Sequence, residues 1–260
     1  MRKSIYIPTV RPDSLNRFFK SVVELNLLQD WNFFFYFQCY TKQNIRELFS
    51  NYGHLISGYL ESDKRVAPYV ARCELMKRYK SDIYCVNDDD AVLMNLLDYN
   101  TPIQKILQDH KCGMISTNWV RVNTPKMMAQ KRYEREFKKQ NLINTGGGLL
   151  FSDKVLKTSI LNQPILPYLY DDIALSLNAY VGGWNNYRYL GSIIEHNAVM
   201  NGGIKTLYKE RSMQLLDSRL IDMKKTTSIY PHENNNYHMP TSKNITEYAH
   251  KLHKENSIKI

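Results

Sequence analysis

Apolar and polar positions alternate along the chain in blocks that predict strands and helices in turn. Short apolar runs predict strands over Ile5–Val10, Phe33–Cys39, Leu55–Leu60, Ile83–Val86, part of Lys111–Val120, Leu149–Phe151 and Tyr187–Glu195. Helical spacing predicts helices over Ser14–Leu28, Thr41–Tyr52, Pro68–Tyr79, from Thr101 onward, and from Asp171 to the pair Gly182 and Gly183. Strands that alternate with helices predict an α/β fold, with helices on both faces of one sheet.

Three consecutive aspartates follow the predicted strand Ile83–Val86. Alternate residues of an extended segment point the same way, so Asp88 and Asp90 can face one ion while Asp89 points elsewhere. Mg²⁺ and Mn²⁺ prefer oxygen ligands, and ligands of α/β sheets lie outside the carboxyl ends of strands. The triplet therefore predicts a site for Mn²⁺ or Mg²⁺ that holds a diphosphate. A turn rich in Asn and Asp that caps the next segment is the structural alternative.

A second acidic pair, Asp171 and Asp172, opens the predicted helix DDIALSLNAYV. Carboxylates in a first turn are favourable because they face the positive end of the helix dipole, and this is a purely structural explanation. The functional explanation is a general base held at the start of a helix.

Together these motifs resemble the family 2 glycosyltransferases, which have the GT-A fold. The resemblance rests on the stretches VNDDDAVL, TGGGLLFSDKVL and DDIALSLNAYVGGW, extends to the opening IYIPTVRPDSLNRFFKSV, and covers about residues 3–200. It implies a single GT-A (Rossmann-like) domain over residues 1–203, with a mixed, mostly parallel central sheet flanked by helices. The nucleotide-sugar half would span about 1–120 and the acceptor half about 121–203. Residues 204–260 would form a polar C-terminal extension.

The resemblance also implies roles for individual residues. Asp172 matches the base of inverting members and Asp171 its partner. Asp88 and Asp90 would face the metal and the nucleotide sugar, and His196 matches a histidine that completes the metal site in some members. Ala174 and Asn178 depart from the pattern, since an acidic residue and an arginine are common there. The Gln-x-x-Arg-Trp pattern of processive synthases is missing, which favours transfer of single sugars by a hexosyltransferase-type enzyme.

Further candidates come from their positions along the chain. The candidates for donor binding, besides Asp88 and Asp89, are Thr9, Arg11, Arg65 and Arg72. The candidates for acceptor binding are Gly147, Gly148 and Trp184. Each has a structural alternative: a turn or a solvated face for the donor candidates, a hinge for the glycines, and a core position for the tryptophan.

Charge bears on the acceptor. Lys and Arg number 35 against 25 Asp and Glu, a formal net charge of +10, and residues 121–140 form a basic segment that suits a mobile loop or a short helix. A basic excess favours anionic partners or simply keeps the surface soluble. The acceptor is therefore either a cell-envelope saccharide, the common assignment for the family, or nucleic acid such as a hydroxymethylated DNA base.

Two other classes of protein fit parts of the pattern. A nucleotidyltransferase also clusters aspartates at strand ends, and a basic nucleic-acid-binding module would use its carboxylates only structurally. Four cysteines without a CxxC pair indicate reduced thiols. There is no secretory signal and no apolar stretch long enough to span a bilayer, so we expect a cytoplasmic protein.

Overall fold

The computed structural model describes residues 1–26, 28–120, 135–143, 145, 147–161, 171–196, 251 and 253–257. Nine strands lie in this part of the chain: β1 (Lys3–Thr9), β2 (Trp31–Gln38), β3 (Ile56–Ser62), β4 (Ile83–Val86), β5 (Ala91–Leu93), β6 (Cys112–Val120), β7 (Phe137–Lys139), β8 (Leu149–Ser152) and β9 (Asn185–His196). The main helices are α1 (Pro12–Leu25), α2 (Lys42–Tyr52), α3 (Pro68–Arg78), α4 (Asn100–Gln108) and α5 (Asp171–Val181), and short helical turns cover Gly53–Leu55 and 153–160.

All nine strands form one sheet in the order β3-β2-β1-β4-β8-β6-β9-β5. Strand β7 pairs with an earlier part of β9 than β5 does. Strands β1 to β4, β6 and β9 run in one direction, while β8, β5 and β7 run against them. The expected α/β fold with a mixed, mostly parallel sheet is confirmed.

Two apolar clusters cover the two faces of the sheet. The aromatic strand β2 contributes to both, because Phe33, Phe35 and Phe37 point to the face covered by α1 and α4 while Phe34 and Tyr36 point to the face covered by α3 and α5. A strand buried on both faces reads as a continuous apolar run, which is why β2 has no polar alternation. The sheet is thereby fixed between two helical layers.

The long strand β9 organises the second half of the sheet. On one edge its first half pairs with β7 and its end pairs with β5, and on the other edge it pairs with β6 before and after residues 190–192. Between the pairs Thr117–Tyr189 and Asn118–Ile193, β9 carries three extra residues, 190–192. Neither β5 nor β7 was expected from the sequence, and the described end of the basic segment contains the strand β7 where a loop or helix was predicted. Residues 121–134 lie outside the described residues.

The described C-terminal residues pack against the end of α5. The imidazole of His253 stacks on Tyr180 with ring centroids 4.2 Å apart, and Asn256 Nδ2 donates to the Val181 carbonyl at 2.7 Å. Ser257 Oγ donates to the Gly183 carbonyl at 2.9 Å. The expected domain boundary at residue 203 lies outside the described residues. Among the helices that are described, none has the length and apolar character needed to cross a membrane.

Candidate active site

The acidic triplet forms the turn between β4 and β5, at the carboxyl edge of the parallel strands. Strand β5 then pairs with the end of β9 in the register Ala91–His196, which sets His196 beside Asp90. Two parts of the chain that are distant in sequence, residues 87–93 and the end of β9, therefore meet at one edge of the sheet, where ligand sites of α/β folds lie.

Asp88, Asp90 and His196 each offer one ligand atom, and these atoms lie within 4.8 Å of one another. His196 Nε2 is 3.1 Å from Asp90 Oδ1 and 3.4 Å from Asp88 Oδ2. Burial alone would lower the pKa of His196, but its hydrogen bonds and charge interactions with the two carboxylates outweigh burial and raise that pKa to about 10. Two carboxylates and one imidazole are a donor set that fits Mn²⁺, with the proton on His196 as the counter-charge when no ion is bound.

Asp89 points away from this group and is held by the residues that follow β1. The hydroxyl of Thr9 donates to Asp89 Oδ2 at 3.0 Å and lies 2.7 Å from the Tyr40 hydroxyl. The guanidinium of Arg11 pairs with Asp89 and also with Asp90, through Nη1 and Oδ2 at 2.9 Å. The donor candidates Thr9, Arg11 and Asp89 are thus brought together, and in this structure they bind one another.

The acidic pair lies buried at the start of α5. Asp172 Oδ2 accepts a hydrogen bond from the Thr145 amide at 2.6 Å, and its Oδ1 accepts from the Ile173 amide at 2.8 Å. Burial, and then the neighbouring charge of Asp171, raise the pKa of Asp172 to about 7. Burial also raises the pKa of Asp171, to about 6, against the opposing effect of Arg72. A carboxylate with a pKa near neutrality is suited to take up a proton.

Arg72 joins the triplet to the acidic pair. Its Nη2 pairs with Asp88 Oδ1, its Nη1 pairs with Asp171 Oδ2, and only 3% of its side chain is exposed. Nη2 also donates to the Asn87 carbonyl at 3.3 Å. The cluster at the end of β4 and the cluster at the start of α5 are therefore one site.

The two glycines expected on the acceptor side have tight packing around them. Gly147 has φ +135° and Gly148 has φ +65°, which favour glycine. A Cβ on Gly147 would lie 2.7 Å from Asn87 Oδ1, and a Cβ on Gly148 would overlap the hydroxyl of Thr117. The Gly148 amide donates to Asn87 Oδ1. These glycines thus let their segment approach the strand that carries the triplet.

Trp184 and Arg65 are not joined to this cluster. Trp184 is buried before the first residue of β9, at the other end of the strand from His196, and its Nε1 donates to Ser159 at 2.9 Å. Arg65 is exposed in the loop from β3 to α3. In this structure Trp184 occupies a core position.

Arg188 was not identified from the sequence. It lies on β9, and alternation with Tyr187 and Tyr189, which pack on the α1 and α4 face, directs it to the face of α5. Burial lowers the pKa of Arg188, while the charge of Asp172 opposes that shift. Only a strand register could have shown that this arginine faces the acidic pair.

The sequence matches no protein-family model and no curated protein sequence. The structure is similar to S. aureus TarS in complex with UDP-GlcNAc, with TM-score 0.61 and 13% identity over 85% of this chain and 67% of that chain. It is similar to the mannosyltransferase PcManGT from Pyrobaculum calidifontis in complex with GDP-Man and Mn²⁺, with TM-score 0.62 and 15% identity over 98% of this chain and 70% of that chain. The chain has the GT-A fold.

A third GT-A structure extends the comparison. GalNAc-T7 with UDP, GalNAc and Mn²⁺ has TM-score 0.61 and 12% identity over 100% of this chain and 57% of that chain. This GT-A chain thus spans 57% to 70% of the length of these three neighbours.

Proposed function

We propose that this GT-A protein is a metal-dependent, inverting glycosyltransferase that moves a single sugar from a nucleotide sugar to an acceptor hydroxyl. The observation that carries the proposal is the joining of the two acidic clusters by Arg72 at the carboxyl edge of the sheet. The fold alone would fit many activities, so the site must carry the argument. The complexes of TarS with UDP-GlcNAc and of PcManGT with GDP-Man support a nucleotide-sugar donor.

Asp88, Asp90 and His196 would hold the ion, and Mn²⁺ is favoured because it is present in the PcManGT and GalNAc-T7 structures. When bound, this ion supplies positive charge to the diphosphate leaving group. Arg11 and Arg72 fix the carboxylates around it by ion pairs. Mg²⁺ is the alternative ion.

Asp172 acts as the base. It takes the proton of the acceptor hydroxyl while that oxygen bonds to the anomeric carbon and the bond from this carbon to the diphosphate breaks. Displacement from the opposite face inverts the configuration. The raised pKa of Asp172, about 7, suits a group that must release the proton again near neutral pH.

The acceptor that we favour is a cell-envelope saccharide. The net charge of +10 supports a second candidate, a hydroxymethylated base in DNA. Binding of DNA through phosphate contacts weakens steeply with salt, whereas recognition of a neutral saccharide does not. If binding of the protein to duplex DNA does not weaken as the salt concentration rises, that result counts against the DNA acceptor.

The function is tested by thermal unfolding against a panel of UDP-, GDP- and other nucleotide sugars, with Mn²⁺, with Mg²⁺ and with EDTA. A ligand that binds only the folded state raises its stability by RT ln(1 + [L]/Kd), so the true donor raises the unfolding temperature only when the ion is present. Stabilisation by nucleoside triphosphates with pyrophosphate release indicates a nucleotidyltransferase. If no nucleotide raises the unfolding temperature, the remaining explanation is a nucleic-acid-binding module without catalysis.

We also propose that the protein acts in the cytoplasm. All four cysteines are free thiols, of which Cys73, Cys85 and Cys112 are buried and Cys39 is exposed. Reduced thiols are typical of that compartment.

A further inference from the structure

We infer that Arg72 is a positioning residue that couples the ion-binding group of the donor half to the acidic pair of the acceptor half. Both of its Nη atoms are engaged by carboxylates, and only 3% of its side chain is exposed. The inference rests on the proposed function for the identity of the ion.

Asp88 is the residue through which Arg72 acts on the ion-binding group. Arg72 holds Asp88 Oδ1, which leaves Asp88 Oδ2 facing His196 at 3.4 Å. The Asp88 side chain is 32% exposed, so this second oxygen is accessible to an ion. A partner that fixes a ligating carboxylate in this way typically changes metal affinity 10- to 100-fold when it is replaced.

Asp171 is the residue through which Arg72 acts on the base. The guanidinium pairs with Asp171 Oδ2, and Asp171 precedes Asp172 on the first turn of α5. The guanidinium is planar and presents its donors in a rigid fork, so one side chain spans the two carboxylates. A lysine has a single ammonium on a flexible stem and cannot hold both in the same geometry.

The test measures Mn²⁺ binding to the donor-free protein by electron paramagnetic resonance, without any transfer reaction. Arg72→Lys keeps the charge and is expected to raise the Kd for Mn²⁺ about tenfold or more. Arg78→Lys on the exposed end of the same helix is the matched control and should leave the Kd unchanged. Equal affinity of the wild type and Arg72→Lys would overturn the inference.

A double-mutant cycle separates coupling from a loss of structure. Asp171→Asn leaves all three ion ligands and Arg72 in place, and is expected to weaken Mn²⁺ binding several-fold. In the Arg72→Lys background it should add less than twofold, because its influence passes through Arg72. If the two substitutions raise the Kd for Mn²⁺ by factors that simply multiply in the double variant, the coupling is contradicted. A residue that matters only for folding would lower the unfolding temperature in EDTA without making the effect of Asp171→Asn depend on Arg72.

Each remaining outcome also decides the matter. If Arg72→Lys does not fold, an unchanged Mn²⁺ affinity in Asp171→Asn alone overturns the inference, and a several-fold loss supports it. If the wild type binds no Mn²⁺, both the proposed ion and this coupling are wrong. If the wild type binds Mn²⁺ but Arg72→Lys binds it equally well, the proposed function stands and only the coupling fails.

Discussion

Replacing Asp172 with asparagine should remove the proposed base and stabilise the fold at alkaline pH. The folded-state pKa of Asp172 is about 7, against about 3.9 for an aspartate in an unfolded chain. Between about pH 4 and pH 7 the folded protein holds a proton that the unfolded chain has released. The free energy of unfolding therefore falls as the pH rises through this window, and above pH 7 the loss is complete.

The size of this loss follows from the pKa difference. About three pKa units correspond to about 4 kcal/mol. Asparagine carries no charge, so it avoids this loss, but its single carbonyl oxygen can keep only one of the two hydrogen bonds that Asp172 accepts from Thr145 and Ile173. Losing the other costs about 1–2 kcal/mol. The net gain at pH 8.5 is therefore about 2–3 kcal/mol, with no gain at pH 4.5.

Urea unfolding followed by circular dichroism, in EDTA, measures this difference at pH 4.5 and pH 8.5. Asp63→Asn, at an exposed position in the loop after β3, is the matched control and should have the stability of the wild type at both pH values. If Asp172→Asn is less stable than the wild type at pH 8.5, or if the difference between them does not change with pH, the reasoning about the buried charge is wrong.

Three further outcomes are expected. In the wild type, kcat/KM for sugar transfer should fall tenfold per pH unit below about pH 7, because Asp172 takes up a proton there. Asp171→Asn removes the neighbouring charge and should move this fall in kcat/KM to lower pH. A flat profile of kcat/KM from pH 5.5 to pH 8 would count against Asp172 as the base. His196→Gln should weaken Mn²⁺ binding at least about tenfold in a paramagnetic resonance titration, and undiminished affinity would remove His196 from the ligand set. Gly148→Ala should lower the free energy of unfolding, measured by urea denaturation, by about 2–4 kcal/mol, because alanine there has an unfavourable φ and its Cβ overlaps Thr117. A loss below about 0.5 kcal/mol would show that the backbone around Gly148 shifts freely to make room.

The layered fold and the long elements were predictable because local patterns encode them. Strand β2 is a run of aromatic residues, and α1 places Leu15, Phe18 and Val22 on one buried face. The triplet and the acidic pair were also visible in the sequence, as carboxylates that follow a strand and open a helix.

The strands β5 and β7 could not be predicted, since each has three residues and forms only because β9 provides an edge. For the same reason the sequence did not show the carboxylate partners of Arg72, which lie 16 and 99 positions further along the chain. Arg188 was missed because its relation to Asp172 depends on the register of β9. Pairings between distant residues carry no local signal, so the connections within the site had to come from the structure.

The three extra residues of β9 are a position at which the length of the chain can change during evolution. They lie after the pair Thr117–Tyr189 and before the end of β9, which carries His196. A change in the number of these extra residues would shift His196 along β5 and away from Asp90, while the pairing of the first half of β9 with β6 and β7 stays intact. One small insertion or deletion could thus remove or restore the proposed nitrogen ligand, while the rest of the domain keeps its fold.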